Sequence, residues 1–292
     1  MDSGFAVLIA HGRVAGPGGL GLAWVVLITV GTSAAMITGM LLVRRRAPEG
    51  GYFAEGDRAA GVFGVLTTAF ALLLGFVIFL AFTKYDESRA GAEAEALVVA
   101  QQFETAQLLP PDGRVRLSGE LICYARSVIE LEWPLLARNV HPPFNRWGAA
   151  LFRTLQTIEP RTASEQSAYD TWLSQTFTRE EERRARLHAG EGLVPLPIWL
   201  VLFFSAALIL MYMLFFADSG EPAVVQALIA GSVTGVVVAT LLLLTMLNRP
   251  YQQDIGGLEP VAMQHTLEII DFAQNTLGID HPLPCDEAGR RS

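Results

Sequence analysis

The amino-acid sequence predicts an all-α membrane protein, with four transmembrane helices arranged as two hairpins and a helical domain outside the bilayer. Its 292 residues are 51% hydrophobic and only 17% charged, whereas about 25% of residues are charged in typical soluble proteins. A bilayer crossing needs about 20 apolar helical residues. Four segments meet this requirement without containing Asp, Glu, Lys or Arg, and they are Leu20–Val43, Ala60–Thr83, Val194–Phe216 and Ala223–Leu247.

These spans divide the chain into five segments. An N-terminal tail (1–19) precedes the first transmembrane hairpin (20–83). A helical soluble domain (84–193) follows, and then the second transmembrane hairpin (194–247). The remainder (248–292) is predicted to form a C-terminal amphipathic helix and tail. The first span is too long for the apolar core of a signal peptide, so we expect it to be retained.

The second span is predicted to continue as a long helix beyond the membrane. Alanine, glutamate and leucine, all strong helix formers, dominate the sequence after it, and the first helix breaker is Pro110-Pro111. Residues 60–109 therefore form one predicted helix of about 75 Å at 1.5 Å per residue. Only about 30 Å of that length is needed to cross the hydrocarbon core.

Shorter helices are predicted in the rest of the polar sequence. One begins at Asp112 and is ended or kinked by Pro134. Thr162 and Glu165 have the spacing of a capping box, which predicts the start of a second helix. A third helix is predicted between Pro260 and Gly278, because proline suits a first helical position and glycine a C-terminal stop.

The distribution of basic residues predicts that both termini and the helical domain are cytoplasmic. Residues near span ends are the ones that orient a membrane protein. Arg44, Arg45, Arg46 and Arg58 lie in one short loop and favour the opposite orientation. Cys123 and Cys285 would then be free thiols in a reducing compartment. The basic residues that favour the cytoplasmic placement are Arg13, Lys84, Arg89, Arg179, Arg183, Arg184, Arg186 and Arg249.

Several classes of function are disfavoured. The net charge of −8 does not provide the basic surface that nucleic-acid binding requires. The spans have no ionisable residues, which counts against an intramembrane enzyme or a proton-coupled transporter. We therefore predict no enzyme and no cofactor. We also predict no metal site, because no histidine has zinc-ligand spacing to another ligand; the histidines are His11, His141, His188, His265 and His281.

One face of the second span has the spacing expected of a pore lining. Its residues are small in one half and aromatic in the other, and they are Gly64, Thr68, Ala71, Gly75, Phe79 and Phe82. A ring of such helices would form a pore with a hydrophobic neck at the two phenylalanines, a constriction that can gate by dewetting. The alternative is that the small residues allow close helix packing and that the phenylalanines face lipid.

Two further sets of residues near the membrane have open interpretations. Lys84 and Arg249 would place positive charge at a pore mouth, or they would anchor the helices by extending to the interface. The fourth span has a small residue at every fourth position, which is typical of close helix packing. Packing within the subunit is favoured over dimerisation for these residues, which are Ala227, Gly231, Gly235 and Ala239.

The soluble domain contains a Glu132-Trp133-Pro134 element and an arginine cluster. Trp133 would offer a flat apolar surface to a partner, or it would be part of the core. Arg183, Arg184 and Arg186 would contact anionic lipid headgroups. The favoured alternative is that they pair with the acidic residues that immediately precede them, which are Glu180, Glu181 and Glu182.

The order and spacing of several such blocks resemble a family of bacterial multi-pass membrane proteins that carry a bestrophin-like domain. The resemblance covers roughly residues 60–265. The blocks that carry it are Gly75-Phe76, Tyr85, Arg89, Glu95-Ala96, Leu108-Leu109-Pro110, Tyr124, Glu132-Trp133-Pro134, Arg183, Arg186-Leu187, Pro197, Trp199, Arg249-Pro250-Tyr251, Gly256 or Gly257, and Pro260.

The resemblance implies a function and an assembly. Bestrophins are pentameric anion channels with four spans per subunit and a cytoplasmic helical domain, although the calcium-binding acidic cluster of the animal channels is not visible here. The first hypothesis is therefore an anion channel in the lipid bilayer, assembled as a homo-oligomer with the second span lining the pore. The alternative is a non-conducting membrane scaffold or sensor whose helical domain binds a partner.

Overall fold

The structure, a computed structural model, describes residues 21–53, 55–188, 194–252, 256–278 and 283–291. The predicted N-terminal tail, with His11 and Arg13, lies outside the described residues, as does His281. The described residues are helical apart from turns, loops and one isolated backbone bridge between Cys285 and Arg291. This confirms the predicted all-α fold.

Four helices of the described chain are long and apolar enough to cross a membrane. They are α1 (Leu22–Arg44), α2 (Gly56–Ala106), α7 (Leu196–Phe215) and α8 (Ala223–Leu247). Each corresponds to one predicted span. The prediction that the second span continues as a long helix is also confirmed, because α2 is a single helix of 51 residues.

The remaining helices belong to the polar sequence. The predicted helix at Asp112 begins at Pro111, and the capping box is present, since the Glu165 N–H donates to Thr162 Oγ1 at 3.1 Å. Gly278 ends the last helix in the left-handed conformation, at φ 63°. In chain order these helices are α3 (Pro111–Ser127), α4 (Trp133–Ala137), α5 (Arg146–Leu155), α6 (Ala163–His188) and α9 (Val261–Leu277).

A π-helical turn joins α3 to α4. It covers Val128–Glu132, just before Pro134. Proline has no N–H and its ring clashes with the preceding turn of an α-helix. The helix accommodates Pro134 by widening for one turn instead of ending, as π-turns inside helices do. The predicted kink is therefore a local change of helix type, and Glu132 in this turn is buried.

The described residues form two compact units. We call the first the membrane unit; it contains the described residues up to Phe82, those of 194–248, and Gly256. The second is the helical unit, with the described residues of 83–193, 249–252 and 257–292. Helix α2 contributes its first part to the membrane unit and its second part to the helical unit.

In the membrane unit, α7 and α8 pack against both other spans. The side of α2 that packs against them carries Phe70, Leu74, Val77 and Ala81. On the other side, α1 approaches α8 closely, because a Cβ on Gly231 would lie 2.9 Å from Ile37 Cδ1. Buried apolar side chains of α7 and α8 fill the space between, and they are Leu202, Ala206, Ile209, Met213, Val237, Leu241 and Leu244.

The two short loops of the membrane unit contact each other. Arg44 Nη2 donates to the carbonyl oxygen of Ser219 at 3.0 Å. The Gly50 N–H donates to Asp218 Oδ1, also at 3.0 Å. Loops that share hydrogen bonds lie on the same side of the membrane, as two successive hairpins require. The charge of Arg44 therefore serves to hold the neighbouring loop as well.

The core of the helical unit is built around α3. The residues of α3 that are completely buried include an aromatic side chain, Tyr124, and they are packed by Trp147 of α5 and Trp172 of α6. The C-terminal segment after α9 returns to this core as a tight turn over residues 283–291. The buried α3 side chains are Leu117, Leu121, Ile122, Cys123, Tyr124 and Ala125.

A disulfide joins Cys123 on α3 to Cys285 in the C-terminal turn, with Cα atoms 5.8 Å apart. The described chain contains no free cysteine. The prediction of two free thiols is therefore wrong. Sequence spacing could not reveal this pair, because 162 residues separate its members and only the packing of the C-terminal turn on α3 brings them together.

Candidate functional site

The predicted pore face of α2 is turned away from the packed core of the membrane unit. All six of its residues are exposed in the single chain, with Phe79 64% and Phe82 54% exposed. A Cβ added at Gly64 or Gly75 would meet nothing within 4 Å. The face is therefore exposed in the single chain and lies outside the packed core of the membrane unit.

A second exposed stripe on α2 carries larger side chains than this face does. It carries Val65, Leu72 and Phe76, each more than 60% exposed. The two stripes follow from the 3.6-residue period of the helix. One side of α2 thus packs against the other spans, one exposes small residues with two phenylalanines, and one exposes bulky apolar side chains of the kind that face lipid.

The two predicted pore-mouth charges differ in their surroundings. Both Lys84 and Arg249 are exposed. Lys84 Nζ forms an ion pair with Glu87 Oε2 at 2.6 Å, one turn further along α2. Its charge is therefore already balanced locally, so it contributes less to any field around it.

Four family-motif residues meet in a buried ion cluster of the helical unit. Arg186 donates from Nε to Glu95 and from Nη2 to Glu132 Oε2, the latter at 2.6 Å. Arg183 Nη2 donates to Glu132 Oε1 at 2.8 Å. None of the four side chains is more than 8% exposed. The prediction that Arg183 and Arg186 pair with Glu180, Glu181 and Glu182 is wrong.

The physical reason is the helical period of α6. Arg179, Arg183 and Arg186 recur every three or four residues and so share the buried face of the helix. The acidic residues between them point elsewhere, although Glu180 lies 3.3 Å from Arg179 Nη2. The buried arginines consequently find carboxylates on other helices, Glu95 on α2 and Glu132 in the π-turn.

Neutral side chains complete the cluster. Tyr124 OH donates to Glu95 Oε1 at 2.6 Å. Asn145 Nδ2 donates to Glu132 Oε1 at 2.8 Å, while its own Oδ1 caps α5 by accepting from the Trp147 N–H at 2.9 Å. Burial, together with the neighbouring Glu95 carboxylate, holds the pKa of Tyr124 well above its ordinary value. The tyrosine is therefore a hydrogen-bond donor throughout the physiological range.

The carboxyl of Glu132 is held in its ionised form. Burial disfavours the charge, but the guanidinium groups of Arg186 and Arg183 and their hydrogen bonds outweigh it, so the pKa of Glu132 is lowered. Burial lowers the pKa of Arg186, but the carboxylates of Glu95 and Glu132 outweigh this effect, so its pKa is raised. The cluster thus places two guanidinium groups against two carboxyl groups and joins α2, α6 and the π-turn.

Trp133 lies in the core of the helical unit and is 7% exposed. Its Nε1 donates to the carbonyl oxygen of Leu258 at 2.9 Å. Its ring packs edge-to-face on Tyr251, with 5.2 Å between the ring centroids. The Arg186 guanidinium lies 5.6 Å from the centroid of the Trp133 ring. Trp133 is therefore part of the core, and its ring is not exposed as a flat surface for a partner.

Gly91 allows α2 to approach α6 at the ion cluster. A Cβ at this position would lie 3.0 Å from the backbone nitrogen of Arg186 and 3.1 Å from Ala185 Cβ. Glu95 follows one helical turn later and reaches Arg186. The sequence alone does not reveal this role of Gly91, because the close approach depends on which helix lies opposite.

The other motif positions do not join this cluster directly. Tyr85 is half-buried, and Arg89 pairs with Glu93 at 2.9 Å on the exposed surface of α2. Pro197 is in the first turn of α7, where Trp199 stacks on Phe203 at 5.5 Å. Pro250 is buried, and Tyr251 beside it donates to the carbonyl oxygen of Arg186 at 2.9 Å.

The small residues of α8 differ in their environment. Gly231 and Gly235 are half-buried, and a Cβ on Gly235 would lie 3.4 Å from Ser33 Oγ of α1. Ala227 is half-buried and Ala239 is exposed. Within the described ranges, no group of three or more histidine, cysteine, aspartate or glutamate side chains is placed to hold a metal ion.

The chain matches the family model described as a bestrophin-like domain over residues 30–256. It belongs to the bestrophin-like domain family. The match covers α2, the ion cluster and α8, so the motif residues identified above lie inside it, apart from Gly257 and Pro260. A comparison with curated proteins yields no match.

Solved structures agree with this assignment. The chain is similar to a bacterial bestrophin homologue from Klebsiella pneumoniae, with a TM-score of 0.63 at 17% identity, over 89% of this chain and 100% of the other. A point variant of that homologue has a TM-score of 0.62 at 15% identity, and the match covers 87% of this chain and 99% of the other. A variant described only as a membrane protein has a TM-score of 0.64 at 16% identity, and the match covers 89% of this chain and 100% of the other. These likenesses show that the chain has the fold of those proteins.

Proposed function

We propose that the protein is a subunit of an anion channel, a closed homo-oligomer in which α2 lines the pore. Membership of the bestrophin-like family supports a pentamer, since bestrophins assemble in that way. The observation that carries the proposal is the exposure of all six predicted pore residues along one side of α2, opposite its packed side. A ring of five subunits would cover this face.

The neck of the proposed pore is formed by Phe79 and Phe82. They occupy successive turns of α2, beyond the small residues of the same face. A ring of aromatic side chains excludes water when the pore is narrow, and so provides a hydrophobic gate. The edge of a phenylalanine ring is electropositive, so rings that turn their edges to the pore would favour anions over cations.

Positive charge at the mouth would add to this preference. Lys84 follows Phe82 by two residues on the same helix, and Arg249 follows the end of α8 by two. Since Glu87 balances Lys84, Arg249 is the stronger of the two candidates. We assign no enzymatic activity, because conduction requires none and the four predicted spans contain no Asp, Glu, Lys or Arg.

Chloride flux in liposomes tests the channel directly. We expect purified protein to release chloride, and Phe79→Ala with Phe82→Ala to change the rate and the ion preference. Phe76→Ala is the matched control, because Phe76 is similarly exposed on the same helix but lies on the bulky stripe. Equal effects of the double variant and the control would contradict the neck, and absence of flux from a correctly assembled protein would contradict the channel.

The alternative is a non-conducting scaffold or sensor. An open cavity of about 1010 Å³ in the helical unit favours it, because a pure pore needs no such cavity. The oligomeric state separates the two hypotheses. A closed ring, counted by native mass spectrometry in detergent, is expected of the channel, whereas a monomer or dimer would support the scaffold.

We further propose that both termini and the helical unit face the cytoplasm, on the strength of the basic residues near the span ends. The disulfide between Cys123 and Cys285 is the observation against this placement, because such bonds persist mainly in oxidising compartments. A single cysteine introduced at exposed Arg138, in a chain without Cys123 and Cys285, tests it. Labelling of intact cells by an impermeant thiol reagent would contradict the cytoplasmic placement.

A further inference from the structure

A second site lies in the helical unit, in a cavity of about 1010 Å³. Helices α3 and α5, the π-turn and the C-terminal turn all contribute to its lining. The lining includes five arginines from three of these elements: Arg116 of α3, Arg146 and Arg153 of α5, and Arg290 and Arg291 of the C-terminal turn. None of the cavity's residues belongs to a span or to the proposed pore face.

The carboxylates in this lining do not balance the arginines. Among the described residues of the lining, only Glu120 and Glu132 carry a carboxylate. Glu132 is already bound by Arg183 and Arg186, which are not part of the cavity. Within the described part of the lining, Glu120 is therefore the one carboxylate left to oppose five guanidinium groups. The cavity lining therefore carries a surplus of positive charge, on arginine side chains that are exposed to solvent.

Glu120 is also a poor counter-ion. Its Oε1 accepts a hydrogen bond from Thr154 Oγ1 at 2.9 Å, whereas its buried Oε2 has no hydrogen-bond partner among the described residues. Burial raises its pKa, although the Thr154 hydrogen bond and the charges of Arg116, Arg153 and Arg291 act against this. The charges of three arginines from three elements therefore act on one carboxyl group, with which none of them forms an ion pair.

The C-terminal turn that carries two of the arginines is held firmly on the cavity. The disulfide ties Cys285 to α3, and Trp147 Nε1 donates to the carbonyl oxygen of Gly289 at 2.6 Å. Within the turn, the Arg290 N–H donates to Asp286 Oδ1 at 2.7 Å. The backbone of the arginines is therefore positioned before any ligand arrives, which lowers the entropic cost of binding.

We propose that this cavity binds a small oxyanion with at least two negative charges, of the phosphate or polycarboxylate type. Guanidinium groups present two parallel N–H donors that match the oxygens of a phosphate or a carboxylate. Several arginines around one cavity select for multivalent over monovalent anions. Phe144, which is 70% exposed at the cavity, offers an apolar contact to the remainder of the ligand. This binding function is independent of conduction.

Isothermal titration calorimetry of the full chain in non-ionic detergent tests the proposal. The probes are inorganic pyrophosphate and citrate, each titrated at constant ionic strength set with sodium chloride. We expect saturable binding at one site per chain. A preference for pyrophosphate would identify the phosphate class and a preference for citrate the polycarboxylate class, and either result supports the proposal.

Variants locate the binding. Arg146→Gln combined with Arg290→Gln is expected to weaken it by about tenfold or more, since each removes a charge-assisted hydrogen bond. Arg138→Gln with Arg161→Gln is the matched control, because both arginines are exposed on the same unit and lie outside the cavity. Glu120→Gln is expected to strengthen binding, a gain that a misfolded protein could not produce.

The proposal is overturned if neither probe binds saturably to the wild-type chain. It is also overturned if the double cavity variant retains wild-type affinity while its circular dichroism spectrum is unchanged. An equal loss in the control variant would show non-specific attraction to a basic surface instead of a site. Weaker binding by Glu120→Gln would likewise contradict the assignment of Glu120 as the opposing charge.

Discussion

The guanidinium of Arg186 and the carboxylate of Glu95 form an ion pair in which neither side chain is exposed to solvent. Arg186 belongs to α6 and Glu95 to α2, 91 residues earlier. The contact therefore links the end part of the long helix to the rest of the helical unit. Arg186 also binds Glu132, whereas the other partner of Glu95 is the neutral Tyr124 hydroxyl. The loss of Arg186 would therefore leave the buried Glu95 carboxylate without a counter-ion.

Removal of one partner should be strongly destabilising. We expect Arg186→Met to lower the free energy of unfolding of the helical unit by about 3–5 kcal/mol, because an uncompensated carboxylate would remain buried. Glu93→Gln, which breaks the exposed Arg89–Glu93 pair, should leave it nearly unchanged, because solvent screens this pair. Urea unfolding followed by circular dichroism measures both. Similar costs for the two variants would contradict the role of burial.

The stability of the helical unit should depend on Glu132 in acid. Its pKa in the folded protein is lowered from an ordinary value of 4.5, so its ionised form stabilises the fold. This contribution is complete above about pH 4.5 and is lost as the pH falls through the lowered pKa of the folded state. We expect the urea midpoint of Glu132→Gln to change less between about pH 5 and pH 3 than that of the wild type. An identical acid dependence of the two proteins would show that other carboxyl groups cause it.

A side chain at Gly91 should separate α2 from α6. Alanine is normally the better helix former by about 1 kcal/mol, but here its Cβ would press on the backbone of Arg186. We expect Gly91→Ala to destabilise the protein by about 1–3 kcal/mol, the usual cost of overpacking. Gly61→Ala on the same helix meets nothing within 4 Å and serves as the control. A thermal midpoint of Gly91→Ala at or above that of the wild type would exclude the close approach.

The C-terminal turn should depend on both its glycine and its disulfide. Gly289 has φ 72°, and a Cβ there would lie 2.5 Å from the backbone nitrogen of Ser127. We expect Gly289→Ala to displace the turn and to weaken pyrophosphate or citrate binding, because Arg290 and Arg291 would lose their fixed backbone. Binding calorimetry measures this, with Gly61→Ala again as the control. Unchanged affinity would mean that the turn does not contribute to the site.

Loss of the disulfide should lower stability without abolishing the fold. It closes a loop across 162 residues, and removal of a native disulfide typically costs about 2–5 kcal/mol. We expect the double variant Cys123→Ala, Cys285→Ala to have a lower thermal midpoint than the wild type. A dithiol reductant should lower the thermal midpoint of the wild type but not that of the double variant. A titration of accessible thiols in the unfolded, unreduced protein should find none, and two thiols per chain would contradict the bond.

Local signals predicted the secondary structure well. The apolar, charge-free segments identified four spans, and the absence of a breaker before Pro110 predicted that the second span continues as one helix. The capping box at Thr162 and Glu165 and the stop at Gly278 are present. Each of these depends on residues within one or two helical turns of each other, which a sequence displays directly.

The ion-pair partners of the charged residues could not be predicted from the sequence. Arg183 and Arg186 stand beside three glutamates, yet they bind Glu132 and Glu95 because the helical period turns them inward. The arginines of the oxyanion cavity are up to 175 residues apart along the chain, from Arg116 to Arg291. No local pattern marks them as a group, and the sequence could identify neither this cavity nor the disulfide beside it.

By itself, the sequence determined that this is an all-α membrane protein with four spans and one long continuous helix, since hydrophobicity, helix propensity and breakers act locally. It also marked the face of α2 that the structure leaves exposed. Only the tertiary structure decided which charges neutralise each other, which cysteines pair and which arginines share a cavity. Those relationships depend on how helices distant in sequence pack, and packing is set by the shape and burial of the whole unit.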